Sequence, residues 1–153
     1  MARNLKICLT ASAGGHLTQL LKIAKCWNSY ETFCVTTSRL VERRLSEYGK
    51  VYVTGECNHL QLFRVIRVLF QCLRIVSRER PDVVISTGAA AGCMVCFLAK
   101  LFGAKVIWLD SITNVKKLSL SGRMVLRIAD VFLVQWPELA KKYKKVEYVG
   151  TVI

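Results

Sequence analysis

Apolar residues along this chain fall into short runs, and these runs alternate with stretches whose apolar positions recur at helical spacing. The first unit, residues 5–21, begins with an apolar strand in which Ile7, Leu9 and Ala11 share one face. It then turns through the small residues 12–15 and continues as a helix with leucines spaced three or four apart. The chain therefore opens with a strand, a glycine-rich loop and a helix.

The same alternation continues to the end of the sequence. Further strands are predicted at 32–37, 51–54, 82–86, 105–109, 131–134 and 146–149, and helices at 39–48, 60–80, 93–102, 121–129 and 137–143. Most of these strands are apolar on both faces, which is typical of a parallel sheet covered by helices on both sides. The pattern predicts an α/β fold, a Rossmann-like doubly wound parallel sheet, with residues 1–153 as one domain.

Ligands of such sheets bind beyond the carboxyl ends of the strands, so the loops after strands one, four and five are the candidate site. These loops are 13–16 (AGGH), 86–92 (STGAAAG) and 110–114 (DSITN). A glycine loop allows close approach of a ligand, and the first helical turn offers free N–H groups to phosphate or carboxylate. The first loop lacks both the third glycine of the dinucleotide fingerprint and the Lys-Ser/Thr of a P-loop. From these residues alone, a ligand site and a plain connection stay open.

The helix predicted at 60–80 has an unusual distribution of polar residues. They follow one another at steps of three or four and form one narrow stripe: Gln61, Arg64, Arg67, Gln71, Arg74 and Arg78. A surface helix usually shows a wide polar face and a narrow apolar one. Either the helix is wedged between neighbours, or its outer apolar flank enters a membrane interface with arginines on lipid phosphates. The second interpretation is favoured, and it predicts membrane contact by Arg64, Arg67, Phe70, Arg74 and Arg78.

The charge supports an anionic partner. Twenty-three basic side chains against ten acidic ones give a formal net charge of +13, which favours nucleic acid, an anionic membrane or a phosphorylated substrate. Nucleic acid is disfavoured because no reading motif or interleaved aromatics are present. Seven cysteines, an odd number mostly in apolar runs, indicate buried thiols in a reducing compartment. With no signal peptide and no apolar run of about 20 residues, a peripheral protein on the cytoplasmic face of the membrane is expected. His59 is expected at the surface.

Five segments together carry a family resemblance. In order they are ASAGGHLTQLL, PDVVISTGAAAG, LAKLFGAKVIWLDS, KLSLSGRMVLRIADVFLVQWPEL and VEYVGTV. The set resembles the PssD-type polysaccharide biosynthesis proteins of bacteria. Those proteins are similar to the membrane-recruiting subunit of the eukaryotic N-acetylglucosaminyltransferase of lipid-linked oligosaccharide synthesis. The resemblance covers essentially the whole chain.

The resemblance implies the N-terminal, acceptor-binding half of a GT-B glycosyltransferase of the MurG type, acting in capsule or exopolysaccharide synthesis. The acceptor would be a lipid-diphosphate-linked sugar. The donor half, which would bind most of the UDP-sugar, would come from a second chain, a PssE-type partner. No metal and no further cofactor is expected, since GT-B enzymes generally act without one.

The resemblance also assigns expected roles to single residues. Ser12, Gly14 and Gly15 would line the acceptor site, and His16 would be the candidate base, or alternatively would cap the first loop. Gly88 and Gly92 would allow close approach of a ligand or partner, or only a tight turn.

Asp110 stands where family members carry an acidic residue, often glutamate. It would accept a proton, orient His16 or cap its loop, and its shorter side chain leaves a catalytic role open. Gln135, Trp136 and Pro137 would dock the partner or shape the cleft, although Trp136 could equally belong to the core.

Two other functions stay open at this point. The chain could be a scaffold that recruits the catalytic partner to the membrane and supplies no catalytic group. More remotely, it could be a stand-alone nucleotide-binding enzyme of Rossmann type.

Overall fold

The computed structural model describes residues 4–56 and 61–152, which form a seven-stranded sheet with helices on both faces. The strands are β1 (Lys6–Ala11), β2 (Glu31–Thr36), β3 (Lys50–Val53), β4 (Val83–Ser86), β5 (Lys105–Leu109), β6 (Val131–Val134) and β7 (Glu147–Tyr148). The helices are α1 (Gly15–Ala24), α2 (Glu42–Leu45), α3 (Leu62–Glu79), α4 (Ala90–Leu101), α5 (Leu120–Val125) and α6 (Pro137–Lys142). Short 3₁₀ turns lie at Lys25–Trp27, Arg39–Val41 and Ser46–Tyr48.

The strand order is β3-β2-β1-β4-β5-β6-β7, and every pairing between neighbours is parallel. The predicted doubly wound parallel sheet is therefore confirmed. Three predictions lie outside the described residues: the thiol of Cys57, the surface position of His59 and the helix start at Leu60.

Two apolar cores cover the two faces of the sheet. On one face, Ile7, Leu9 and Cys34 of the first two strands pack against Leu17 and Leu20 of α1. On the other face, α3, α4, α5 and α6 cover the alternate strand residues, and the core includes Cys8, Phe33, Trp108 and Phe132. Because side chains alternate along each strand, β1 to β5 supply both cores, and this explains their near-continuous apolar runs.

Several element boundaries differ from the sequence prediction, and the helix predicted at 39–48 is α-helical only at Glu42–Leu45, between two 3₁₀ turns. Helix α4 begins at Ala90 instead of residue 93, because the turn is completed at Gly88 and Ala89, both with positive φ, and the alanines that follow favour helix. Helix α5 ends at Val125, and the N–H groups of Ile128 and Ala129 both donate to the Val125 carbonyl in a tighter turn before β6. The second glycine loop is thus shorter than predicted.

Helix α3 buries only a narrow stripe: Val68, Cys72, Ile75 and Val76. Its other large apolar residues are exposed, and they are Leu62, Phe63, Ile66, Leu69, Phe70 and Leu73. Their spacing gathers them on the side of the helix that points away from the sheet. The interpretation of a helix wedged deep between neighbours is therefore wrong, and the exposed apolar flank is present.

Candidate functional site

The loops after β1 and β4 meet at the point where the strand order reverses. The chain leaves β1 toward β2 on one side, whereas β4 continues to β5 on the other side. In a doubly wound sheet this switch point opens a crevice at the carboxyl edge, where ligands bind. Both glycine loops predicted from the sequence border this crevice.

The first loop leaves open space around its glycines. Gly14 has φ of 90°, and a Cβ at Gly14 or at Gly15 would meet no heavy atom within 4 Å. Gly15 is the first residue of α1, so its backbone N–H belongs to the unpaired first turn. The open space allows a ligand to approach this backbone closely, as a phosphate-binding loop requires.

His16 is held by the second loop through two hydrogen bonds to Thr87. The Nδ1 of His16 lies 2.7 Å from the Thr87 carbonyl, and the Thr87 hydroxyl donates to the His16 carbonyl at 2.7 Å. A carbonyl oxygen can only accept, so Nδ1 carries the proton in this contact. Nε2 of the neutral ring then keeps its lone pair and is available as a base or acceptor.

The glycines of the second loop are surrounded by protein side chains. A Cβ at Gly88, whose φ is 133°, would overlap the imidazole ring of His16, and one at Gly92 would lie 2.5 Å from Ser86 Oγ. Gly88 therefore makes room for the histidine, and Gly92 makes room for the end of β4. Ligand contact by these two glycines stays a prediction.

A cavity of about 230 Å³ lies between the first loop and the N-terminus of α4. It is lined by Ser12, Ala13, Thr37, Glu56, Ala89, Ala90 and Ala91. Helix α4 has twelve residues, and its unpaired first-turn N–H groups and helix dipole favour an anion at this end. The cavity therefore brings Ser12 and the amino end of α4 to one small polar space.

Asp110 is 1% exposed and is bound within its own segment. Its Oδ1 accepts hydrogen bonds from Ser119 Oγ at 2.6 Å and Trp108 Nε1 at 3.2 Å. Its Oδ2 accepts from Ser119 N at 3.0 Å and Asn114 Nδ2 at 3.3 Å. These contacts match the loop-capping alternative for Asp110, because the donors are Trp108 of β5 and two residues of the loop between β5 and α5.

Gln135 is also internal, with 1% of its surface exposed. Its Nε2 donates to Gln19 Oε1 at 2.6 Å and to the Asp110 carbonyl at 3.0 Å, while its Oε1 accepts from Val152 N at 2.8 Å. The side chain thus ties α1, the end of β5 and the segment after β7 together. This geometry corresponds to shaping the cleft rather than to direct contact with a partner.

The two residues after Gln135 are half-buried. Trp136 packs against the larger core and donates through Nε1 to the Ile112 carbonyl at 2.6 Å. Pro137 occupies the first turn of α6, where its missing N–H costs no hydrogen bond. Trp136 thus packs with the core, while a role of Trp136 and Pro137 in shaping the cleft or docking a partner stays a prediction.

The predicted membrane residues lie on α3, where Phe70 is 66% exposed and Arg64, Arg67, Arg74 and Arg78 are also exposed. Arg64 and Arg67 line one cleft near the carboxyl end of β3, and Arg74 and Arg78 line a second groove beside Tyr52. The arginine stripe thus runs along the β3 side of the helix, next to the apolar flank. Within the described residues, no helix combines the length and the apolar content needed to cross a bilayer.

Sequence reasoning missed three residues of this site. Thr87 positions His16, Gln19 binds Gln135, and Thr37 borders the cavity beside Ser12. Two of these residues could have been found in the sequence, because they are polar and directly follow an apolar run: Thr87 after β4 and Thr37 after β2. Gln19 is a weaker sequence signal, because it is only a polar residue next to the leucines of α1.

These features define a Rossmann-like α/β domain with an open glycine loop and a histidine at the switch point of its seven-stranded parallel sheet, and solved structures share this fold. MurG of Acinetobacter baumannii superposes with a TM-score of 0.78 and 16% identity over 95% of this chain and 45% of that chain. A UDP-N-acetylglucosamine 2-epimerase from Rickettsia bellii gives 0.71 and 13% identity over 98% of this chain and 46% of its own.

The family model described as "Oligosaccharide biosynthesis protein Alg14 like" matches residues 7–152, so this chain belongs to that family. A UDP-N-acetylglucosamine transferase subunit of Schizosaccharomyces pombe is 44% identical over 77 residues, which cover 47% of this chain and 37% of the relative. The human subunit ALG14 is 23% identical over 181 residues, covering 98% of this chain and 84% of the relative. A Yarrowia lipolytica subunit is matched over 40% of its length, so the matched segments span less than half of both fungal relatives. The resemblance to the eukaryotic transferase subunit is confirmed.

Proposed function

We propose that this chain is the acceptor-binding subunit of a two-chain glycosyltransferase that works at the membrane. It would bind a lipid-diphosphate-linked sugar, while a PssE-type partner binds the UDP-sugar. The product would enter capsule or exopolysaccharide synthesis. The observation that carries the proposal is the orientation of His16, whose Nε2 is left free beside an open glycine loop at the switch point of the sheet.

Glycosyl transfer requires a base close to the acceptor hydroxyl, and in this proposal His16 is that base. As the acceptor hydroxyl attacks the anomeric carbon, its proton passes to His16 Nε2, a new C–O bond forms and the bond from the sugar to UDP breaks. A positioned general base of this kind contributes about 10²–10⁴-fold to a rate. Thr87 supports the step as a positioning residue, because its carbonyl keeps the proton on Nδ1.

Family membership supports the division of labour between two chains. The curated relatives are named as subunits of a UDP-N-acetylglucosamine transferase, and UDP-N-acetylglucosamine is therefore the first donor to test. The fold matched here corresponds to 45% of the A. baumannii MurG chain. The partner would dock near the half-buried Trp136 and Pro137, while the internal amide of Gln135 holds that edge in shape.

The exposed flank of α3 supports attachment to a membrane. Six large apolar side chains on one side of the helix, led by Phe63 at 89% exposure, adjoin a stripe of four arginines. Apolar residues in the acyl boundary and arginines at lipid phosphates are the usual elements of an interfacial helix. We place this helix on the cytoplasmic face, where it would bring the crevice close to a lipid-linked acceptor.

The test is to co-express this chain with a PssE-type donor-binding chain from the same genome, purify the pair and assay transfer to a lipid-diphosphate acceptor. UDP-N-acetylglucosamine and other UDP-sugars serve as donors. The proposal predicts a stable pair that transfers sugar, with no transfer by either chain alone. Transfer by this chain alone would contradict it. A pair that keeps full activity with His16→Ala would instead support a scaffold without a catalytic group.

A further inference from the structure

A second and larger cleft opens at the same edge of the sheet, beyond β2 and β3. Its volume is about 480 Å³, and it lies between these strand ends and α3. It is lined by Thr37, Ser38, Arg39, Val53, Thr54, Gly55, Glu56, Arg64, Arg67, Val68 and Gln71. The membrane interpretation of α3 already places Arg64 and Arg67 at lipid phosphates, but it assigns no ligand to the cleft itself.

Three arginines converge on the cleft. Arg39 comes from the turn after β2, while Arg64 and Arg67 come from the first turns of α3. Across residues 4–56 and 61–152, none of the three forms an ion pair. Glu56 also lines the wall, which leaves a local excess of positive charge. Guanidinium groups present parallel N–H donors that match phosphate oxygens, so this set fits a phosphorylated ligand.

Two buried polar atoms of the same wall lack a partner among the described residues. The hydroxyl of Thr37 is one, in a residue only 7% exposed, and Oε1 of Gln71 is the other. A buried polar group without a hydrogen bond is costly, and such groups are normally satisfied by protein, water or ligand. The Thr37 hydroxyl can donate to a phosphate oxygen, and Gln71 can accept from a sugar or water hydroxyl.

The cleft is continuous with the candidate acceptor site. Thr37 and Glu56 line both this cleft and the smaller cavity beside Ser12 and the start of α4. On its other side, α3 carries the exposed Phe63 and Phe70. The two cavities therefore extend from Ser12 and the start of α4, past the arginines, toward the apolar flank of α3.

We propose that Arg39, Arg64, Arg67 and Thr37 form a binding site for a diphosphate group that carries a lipid chain, with the chain leaving along the apolar flank of α3. This proposal adds a binding site to the proposed function, and it rests on that function only for the identity of the lipid. Arg64 and Arg67 would then serve the ligand, while Arg74 and Arg78 face the neighbouring groove and the membrane.

Binding of three probes to the full chain separates the sources of phosphate. They are inorganic pyrophosphate, farnesyl diphosphate as a soluble lipid diphosphate, and vesicles of phosphatidylglycerol. The test variant is Arg64→Gln/Arg67→Gln, and its charge-matched control is Arg43→Gln/Arg44→Gln, two exposed arginines of α2. All four arginines are exposed, so folding should be kept, and circular dichroism checks it.

The site predicts saturable pyrophosphate binding that weakens about tenfold or more in Arg64→Gln/Arg67→Gln and stays unchanged in the control. Farnesyl diphosphate should bind more tightly than pyrophosphate, and Phe63→Ser/Phe70→Ser should remove that gain alone. Equal loss in both arginine pairs would show diffuse charge and overturn the proposal. Loss confined to vesicle binding would assign the arginines to membrane phospholipid and also overturn it. None of these assays needs the partner chain, so failure here is separate from failure of sugar transfer.

Discussion

Several lysines at the amino edge of the sheet are paired with carboxylates, whereas three arginines at the carboxyl edge are not. At the amino edge, lysines are paired with carboxylates: Lys6 with Glu79 at 2.6 Å and Glu31 at 3.1 Å, and Asp130 with Lys100 at 2.6 Å and Lys105 at 3.2 Å. At the carboxyl edge, within the part of the chain that the structure describes, Arg39, Arg64 and Arg67 have no acidic partner.

The ion pairs at the amino edge connect different elements of the fold. Asp130 lies just before β6 and accepts hydrogen bonds from Lys100 at the end of α4, from Lys105 and from the Val106 N–H. Burial opposes its ionisation, but these donors lower the pKa of Asp130 to about 2. Burial likewise opposes ionisation of Glu79, and hydrogen bonds from Lys6 and Tyr52 lower the pKa of that carboxyl below its ordinary value. These pairs join helix ends to strand starts.

This comparison indicates which basic residues of the chain, whose formal net charge is +13, are available to bind a ligand. Ion pairs engage Lys6, Lys50, Lys100 and Lys105 near strand starts and helix ends, whereas Arg39, Arg64 and Arg67 line the cleft beyond β2 and β3 without an ion pair among the described residues. Unpaired cationic groups at a concave surface attract phosphorylated ligands. We infer that the carboxyl edge is the ligand-binding edge, and the following changes test it, from the largest expected effect to the smallest.

Replacing His16 should have the largest effect at the carboxyl edge. In the proposed two-chain enzyme, His16→Ala should lower kcat by about 10²–10⁴-fold, because the proposed general base is lost. The apparent KM for acceptor should change much less, since the glycine loop remains. Transfer kinetics measure this, and the unfolding midpoint of the same variant separates lost chemistry from lost folding. A rise in KM with unchanged kcat would show that His16 only binds.

Gly88→Ala should be the most destabilising of these changes. The new Cβ would overlap the His16 ring at a position with φ of 133°, and strain with overpacking costs about 2–4 kcal/mol of unfolding free energy. Urea denaturation of the isolated chain measures it. The second variant His16→Ala/Gly88→Ala should regain part of the loss, because the overlapping ring is gone. Equal destabilisation with and without the imidazole would contradict the account of Gly88.

Asp130→Asn tests the amino edge through pH. A carboxylate whose pKa is about 2 in the folded chain and about 3.9 when unfolded stabilises the fold above the unfolded value. This contribution is lost as the pH falls from about 4 to 2. Asp130→Asn should therefore cost about 1 kcal/mol at pH 7, allowing for partial exposure, and nothing below pH 2. Denaturation of both proteins at several pH values checks the prediction, and transfer activity at pH 7 should be unchanged. A loss of unfolding free energy that does not depend on pH would refute it.

Gly15→Ala should have the smallest effect on stability. Its Cβ would point into open space at the first residue of α1, so the unfolding free energy should change by less than about 1 kcal/mol. The variant should nevertheless raise the KM for acceptor, because the new methyl group would occupy the open space beside Gly15 where the acceptor is proposed to bind. Gly14→Ala provides the matched variant with equal space but φ of 90°, and it should be less stable than Gly15→Ala. An unchanged KM would mean that no ligand approaches this loop.

The sheet could be predicted from the sequence because its signals are local. Apolar runs gave all seven strands, and residues 60–80 showed an excess of apolar surface that appears as the exposed flank of α3. Long-range contacts carry no such signal. His16 and Thr87 are 71 positions apart, and Gln135 and Gln19 are 116 apart. For this reason the glycine pattern alone could not distinguish an open loop from one filled by a histidine.

Asp110 shows the same limit within one loop. An acidic residue after a strand at the carboxyl edge is equally compatible with a base and with a cap. The structure shows four donors around its carboxylate, two of them from Ser119, which favour the cap, and a catalytic role stays a prediction. Similarly, the spacing of the α3 arginines predicted a stripe but not which cleft each member lines.

The most direct test of the contrast between the edges is a titration of the ¹⁵N-labelled chain with farnesyl diphosphate, followed by amide chemical shifts. We predict saturable shifts at the carboxyl edge, in residues 12–16, 37–39, 64–67 and 87–91. Amides at the amino edge, around Lys6, Glu79, Lys105 and Asp130, should stay in place. Shifts centred on the amino edge, or spread evenly over both edges, would contradict the assignment of the carboxyl edge as the ligand-binding surface.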